Sequence, residues 1–181
     1  MSAFHSPLSA ELLAYWHRQQ HGAPLPTTED FFDHVPPRLA PLLILFEHHD
    51  GALIVRYLGT QLVERWHEDL TGKNWLGFNR HLNAKNLLAN FMTITQHPCG
   101  GCAQSSFITT TGRELNIETF SLPLAVRAGR PARIISGSFA LETMGFAEEA
   151  RGWMAPRALQ WINLGFGVPA FAPKSPGEPN S

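Results

Sequence analysis

Apolar positions first recur at helical spacing. Leu8, Leu12, Tyr15 and Trp16 share one face after Ser6-Pro7, an N-cap followed by proline at the first helical position, so a helix is predicted from Pro7 to about His21. Gly22, Pro24 and Pro26 stop it. Thr28 opens a short helix through Glu29, Asp30, Phe31 and Phe32, which Pro36-Pro37 ends. The pattern then turns to strand-length runs, Leu42 to Glu47 and Leu53 to Leu58, joined across His49-Asp50-Gly51 as a hairpin.

Gly59 and Thr60 break the second strand and start a short helix carrying Leu62, Val63 and Trp66. Asn79 to Gln96 lacks glycine and proline and places Leu82, Leu87, Leu88, Phe91, Met92 and Ile94 at helical spacing, the longest helix of the middle region. Pro98, Gly100 and Gly101 terminate it. Three strands follow, about Ala103 to Thr110, Glu114 to Leu124 and Ala132 to Leu141, with turns at Thr111-Gly112 and Ala128-Gly129-Arg130. The apolar phase of the middle strand shifts between Ile117 and Phe120, which predicts a bulge. Glu148 to Leu164 reads as a broken helix around Pro156, and the chain from Pro173 as a mobile tail. The order predicts an α+β domain: a five-stranded antiparallel sheet with helices on one face, plus N-terminal and C-terminal flanking helices.

Composition narrows the class. With 181 residues, one domain is expected, and 44% apolar against 16% charged residues favours a compact fold with further buried contact, such as a dimer. A net charge of −1 leaves no footprint for nucleic acid. The longest apolar run, Pro41 to Phe46, is too short to span a membrane, and Met1 to Ala10 lacks a signal peptide's pattern. Two cysteines exclude a disulfide framework. A cytoplasmic protein is expected.

The element order, and the segments Leu12 to Trp16, Pro24 to Pro26, His34 to Phe46, Arg56 to Thr60, Leu70 to Gly72 and Arg133 to Gly137, resemble the PAS domain. The match is to a bacterial family of short, mostly stand-alone PAS proteins. Its most specific pieces are Arg56-Tyr57-Leu58-Gly59-Thr60 and Leu70-Thr71-Gly72, which follow the second strand at the family's usual distance. The resemblance implies a sheet curled around a pocket that middle helices close, holding haem, flavin or a small metabolite, or filled by side chains. It also implies signalling through dimerisation and flanking helices. The expected layout is a flanking helix and linker over 1–28, the PAS-like domain over 29–142, a helical extension over 143–172 and a disordered tail over 173–181.

Several residues carry candidate chemistry. Trp66, Trp75, Phe78, Leu88, Phe91, Met92 and Phe107 suit an adaptable apolar pocket, with Arg56 or His81 to orient a polar group; the same side chains suit a packed core equally well. His81 and His67 are the candidate haem ligands. Leu8, Leu12, Tyr15 and Trp16 offer a helix face for a homodimer or an unidentified partner, as do Trp153, Trp161, Phe166 and Phe171 near the other end.

His97-Pro98-Cys99-Gly100-Gly101-Cys102 offers three metal ligands where structural zinc takes four. The motif also runs from helix to strand, the reverse of a thioredoxin-like turn. It reads better as a glycine-rich connection with two partly buried thiols. Light-sensing flavin chemistry needs a helical cysteine in a polar motif, which neither cysteine has. No paired carboxylates, phosphate loop or nucleophile elbow accompany Asp30, Asp33, Ser105 or Ser106. The reading is a sensory module rather than an enzyme, with a ligand-free scaffold or a Cys99/Cys102 metal or redox site as alternatives.

Overall fold

The computed structural model describes residues 4–80, 82–126, 129–143, 150–153 (backbone only) and 156–177. Helix α1 spans Pro7–Arg18 and α2 Thr28–Asp33. Strands β1 (Leu43–His49) and β2 (Ala52–Leu58) form the expected hairpin. Asp50 and Gly51, at φ 48° and 78°, make its two-residue turn, a conformation that Asp-Gly supplies at little strain. Helices α3 (Thr60–Trp66), α4 (Trp75–Phe78) and α5 (Ala84–Gln96) follow. The meander β3 (Gly100–Thr109), β4 (Glu114–Pro123) and β5 (Arg133–Ala140) is antiparallel throughout.

The strand order is β2-β1-β5-β4-β3, so the two ends of the chain's sheet segment meet where β1 pairs with β5. Beyond β3 the expectation of C-terminal helices fails. Ala150–Trp153 (β6) and Ala158–Ile162 (β7) are strands, each pairing with a different stretch of β3. An uncovered edge of β3 would leave a row of N–H and C=O groups unpaired, and Pro156 cannot continue a helix. Edge pairing therefore outweighs the weak helical period. The rest of the expected helix, 148–149 and 154–155, lies outside the described residues.

Helix α1 ends at Arg18, short of the predicted His21, because His21 and Gly22 turn to positive φ. The helix predicted from Asn79 to Gln96 starts five residues later, as α5 at Ala84, and the short α4 lies ahead of the predicted span. Asn74 caps α4 through Leu76 N (3.1 Å) and Asn83 caps α5 through Asn86 N (3.1 Å), and each cap fixes a helix start.

The sheet is covered on both faces, a departure from the one-sided picture. On one face α5 packs over β3, β4 and β5, while α1 packs against β4 and β5 from the other. This explains the phase shift in β4 without a bulge. Its register to both neighbours is continuous, and the bulges fall instead at Leu45/Phe46 and Ile108/Thr109. Leu115 and Ile117 alternate onto one face; Glu118, Phe120 and Leu122 are buried on the other. The Glu118 carboxylate accepts hydrogen bonds from His5 N (2.8 Å), Ser6 N (3.1 Å) and Ser9 Oγ (2.6 Å), neutralising donors at the start of α1.

A second buried carboxylate ties β1 to its neighbours. Glu47 lies 2.6 Å from Arg56 Nη2 and 2.6 Å from Arg133 Nη2 through its two oxygens. Burial opposes ionisation, but hydrogen bonds and charge from Arg56 and Arg133 hold its pKa below the ordinary 4.5. A carboxyl depressed on folding contributes stability above its unfolded pKa and loses it as pH falls through the folded value. Glu47→Gln is expected to cost about 1 to 2 kcal/mol at neutral pH, since both arginines are part-exposed, and to flatten the decline in stability below about pH 4.5. Urea unfolding from pH 3 to 7 checks both; an unchanged acid limb would show that Glu47 does not contribute to it.

Candidate functional site

Between the sheet and α3 to α5 lies a cavity of about 190 Å³. Its inner surface is built from two chemically different halves. From β3, β4 and β5 come Ser105, Thr119, Ser121, Ser136 and Ser138, with Gly101 and Ala103 beside them. Small side chains at alternating positions on three adjacent strands leave the space that larger core residues would fill. Ser121 and Ser136 are hydrogen-bonded across the strands at 2.7 Å, and Ser138 Oγ accepts from Arg65 at 3.1 Å. Ser105 and Thr119 hydroxyls have no hydrogen-bond partner among the described residues.

The opposite half is mainly apolar. Trp66 and Trp75, with ring centroids 5.2 Å apart, join Phe46, Leu53 and residues of α5. Leu87, Asn90, Phe91 and Ile94 of α5 line the space at i, i+3, i+4 and i+7, one stripe of the helix.

The third contributor is the C-terminal segment. Leu159, Gln160 and Trp161 of β7, with Pro156, Pro173 and Pro176, complete the wall. The expected mobile tail is instead docked across α5 as far as it is described. Asn83 N donates to Pro176 O (2.6 Å), Asn86 Nδ2 to Ser175 O (2.7 Å) and Asn90 Nδ2 to Lys174 O (2.7 Å), while Lys174 N returns a bond to Asn90 Oδ1 (2.9 Å). Three asparagines on successive turns thus satisfy an extended backbone that would otherwise favour water. Residues 178–181 lie outside the described residues.

The structure brings together only part of the expected pocket. Trp66, Trp75 and Phe91 line it. Phe78 stacks against both tryptophans, at 6.0 and 5.6 Å, without reaching the lining. Leu88 and Met92 pack on the core from neighbouring positions of α5, one residue away from the lining stripe. Phe107 belongs to a separate buried cluster with Leu115 and Ile117. Arg56 is held by Glu47 on the other face of the sheet and cannot orient a ligand here. His81 lies outside the described residues. His67 is the exposed residue ending α3, at φ 51°, away from the lining.

The donor set does not suit haem. No histidine lines the cavity among the described residues, and the volume is far below what a porphyrin occupies. Cys99 and Cys102 are both buried, and burial pushes their thiols up to about 11 and about 12. Glu118 and Gln160 hydrogen-bond the Cys102 thiol. Such thiols remain protonated at neutral pH, contrary to what thiolate chemistry requires. Among the described residues no group of three metal-ligating side chains includes them or His97. The glycine-rich connection is itself a strand start, since Gly100 and Gly101 open β3 rather than merely ending the helix.

The expected dimer face is also redistributed. Leu12, Tyr15 and Trp16 are buried in their own domain, with Trp16 Nε1 donating to Pro123 O (2.8 Å) and Tyr15 OH to Phe31 O (2.5 Å). Leu8 is half-buried against the same core. The large exposed apolar side chains among the described residues are Val126, Phe166, Val168 and Phe171.

A sheet in the order 2-1-5-4-3, with helices closing a cavity over one face, is a PAS-like arrangement. A family model, the PAS domain, matches residues 4–139, and the chain belongs to that family. PAS domains are generally sensory or regulatory. No curated protein matches the chain. The wall made by residues 156–176 lies beyond the matched region. Among the described residues no helix is long and apolar enough to cross a membrane.

Proposed function

We propose that this chain is a regulatory PAS module that binds a small molecule in the cavity over β3 to β5, without catalysis, and passes its occupancy to a second copy or another protein. The observation that carries the reading is the cavity itself: small hydroxyl residues on three strands facing aromatic side chains, where a purely structural core would be filled. The C-terminal segment supports the signalling half. It forms part of the wall and also presents Phe166, Val168 and Phe171 to solvent, so a change at the ligand reaches an exposed apolar surface within one element.

A thermal-shift screen of the purified chain against uncharged metabolites tests it. A ligand at a hundredfold its Kd adds about 2.7 kcal/mol to stability. That corresponds to a rise of roughly 5 to 10 °C in Tm for a chain of this size. A flat response across the library would favour the ligand-free scaffold.

A further inference from the structure

The cavity's chemistry narrows what it accepts, on the reading that it is a ligand site. We propose that it takes an uncharged, ring-sized molecule with one hydrogen-bonding edge, such as a phenol or an indole, its edge on Ser105 and Thr119 and its ring toward Trp66 and Trp75.

Size sets the first limit. At about 190 Å³ the cavity is close to the engineered cavity of about 150 Å³ that admits benzene, so one ring with a substituent, or two fused rings, fills it.

Charge sets the second. No lining side chain among the described residues is ionisable except Cys102, whose thiol stays protonated at neutral pH. Arg65 reaches the edge of the cavity; burial lowers its pKa to about 10, so it is still charged at neutral pH. Its guanidinium lies outside the lining and is turned to Ser138, bonding Oγ (3.1 Å) and O (3.4 Å). An anion in the cavity would shed its water without a cationic partner among the lining residues.

Polarity sets the third limit. Ser121 is engaged by Ser136, and Ser138 by Arg65, but Ser105 and Thr119 retain free hydrogen-bonding capacity toward the cavity. An apolar ligand would leave these hydroxyls unsatisfied, whereas a ligand O–H or N–H pairs with them. On the opposite side Trp66, Trp75 and Phe91 favour tilted or edge-to-face contact with a ring.

Titration of the full chain with phenol, indole, toluene and benzoate, followed by tryptophan fluorescence, tests the assignment. Phenol and indole are expected to bind saturably, and toluene and benzoate at least about tenfold more weakly, a factor worth about 1.4 kcal/mol. Thr119→Val and Ser105→Ala, each with a Tm near that of the parent, are expected to reduce phenol affinity several-fold while leaving toluene unchanged or tighter. Benzoate binding as tightly as phenol would overturn the ligand class but leave a ligand site. An unchanged phenol-to-toluene ratio in both variants would do the same. Failure of all four probes to bind would overturn the ligand site together with its class.

Discussion

Replacing Gly59 by alanine is expected to destabilise the protein by about 3 kcal/mol or more, the upper end of what overpacking causes. Gly59 sits between β2 and α3 with an ordinary φ of −64°, so its role is not conformational freedom. A Cβ there would lie 2.3 Å from both the carbonyl carbon and oxygen of Pro41, and 2.6 Å from Ala40 O. Those are backbone atoms, and they cannot rotate aside as a side chain can. Gly59 N also donates to Leu43 O (2.9 Å), and its own carbonyl accepts from Leu62 N (2.9 Å), so the crossing holds the turn, β1 and α3 together.

Relief would have to move α3, and with it Trp66 and Arg65 at the cavity. Gly77→Ala is the control: a Cβ at Gly77 meets nothing within 4 Å, and alanine suits a helix, so no loss is expected. Thermal unfolding of the two variants decides the point. A Gly59→Ala protein as stable as Gly77→Ala would show that the close approach is not enforced.

Trp16→Ala is expected to cost about 3 to 5 kcal/mol, the usual range for removing a fully buried tryptophan. The loss combines apolar area with an abandoned carbonyl, since Pro123 O would lose the Trp16 Nε1–H donor. This variant also separates two roles for α1. If its face were a dimer surface, Trp16→Ala would keep its stability at high dilution and fall to a monomer. Packing against β4 and β5 predicts the opposite, a large drop in Tm with the subunit count of the folded protein unchanged. Sedimentation velocity alongside calorimetry reads both quantities.

These two residues show how far the sequence could be read. The hairpin was legible because Asp50-Gly51 has one favoured turn. The meander was legible because its strands are separated by short glycine turns. What a helix face covers was not legible, since Leu12, Tyr15 and Trp16 have the same periodicity whether they meet a partner or the protein's own sheet. The β4 phase shift carried the missing information: apolar residues on alternate faces of one strand mean that both faces are covered.

The cavity was half legible. Aromatic residues drew attention to Trp66, Trp75 and Phe91, but the floor is made of Ser105, Thr119, Ser121, Ser136 and Ser138, residues that read as solvent-facing positions. The i, i+2 spacing of Thr119 and Ser121 and of Ser136 and Ser138 on neighbouring strands, continued by Gly101, Ala103 and Ser105 on the next, is the signal that would have found them. For α5, the stripe Leu87, Asn90, Phe91 and Ile94 competes with the equally apolar Leu88 and Met92, and only packing against the sheet chooses the rotation. The C-terminal wall was out of reach because its proline-rich composition resembles a free tail. What orders it is distant in sequence, the asparagines of α5 and the open edge of β3.

One uncharged small molecule is expected in the cavity that residues 156–176 help to close. Mass spectrometry of the full chain, purified rapidly from its own cells and measured under native and then denaturing conditions, tests it most directly. The expected result is a native mass exceeding the denatured mass by one compound of one- or two-ring size per chain, released uncharged on unfolding. Equal native and denatured masses, or a released anion or porphyrin, would contradict it.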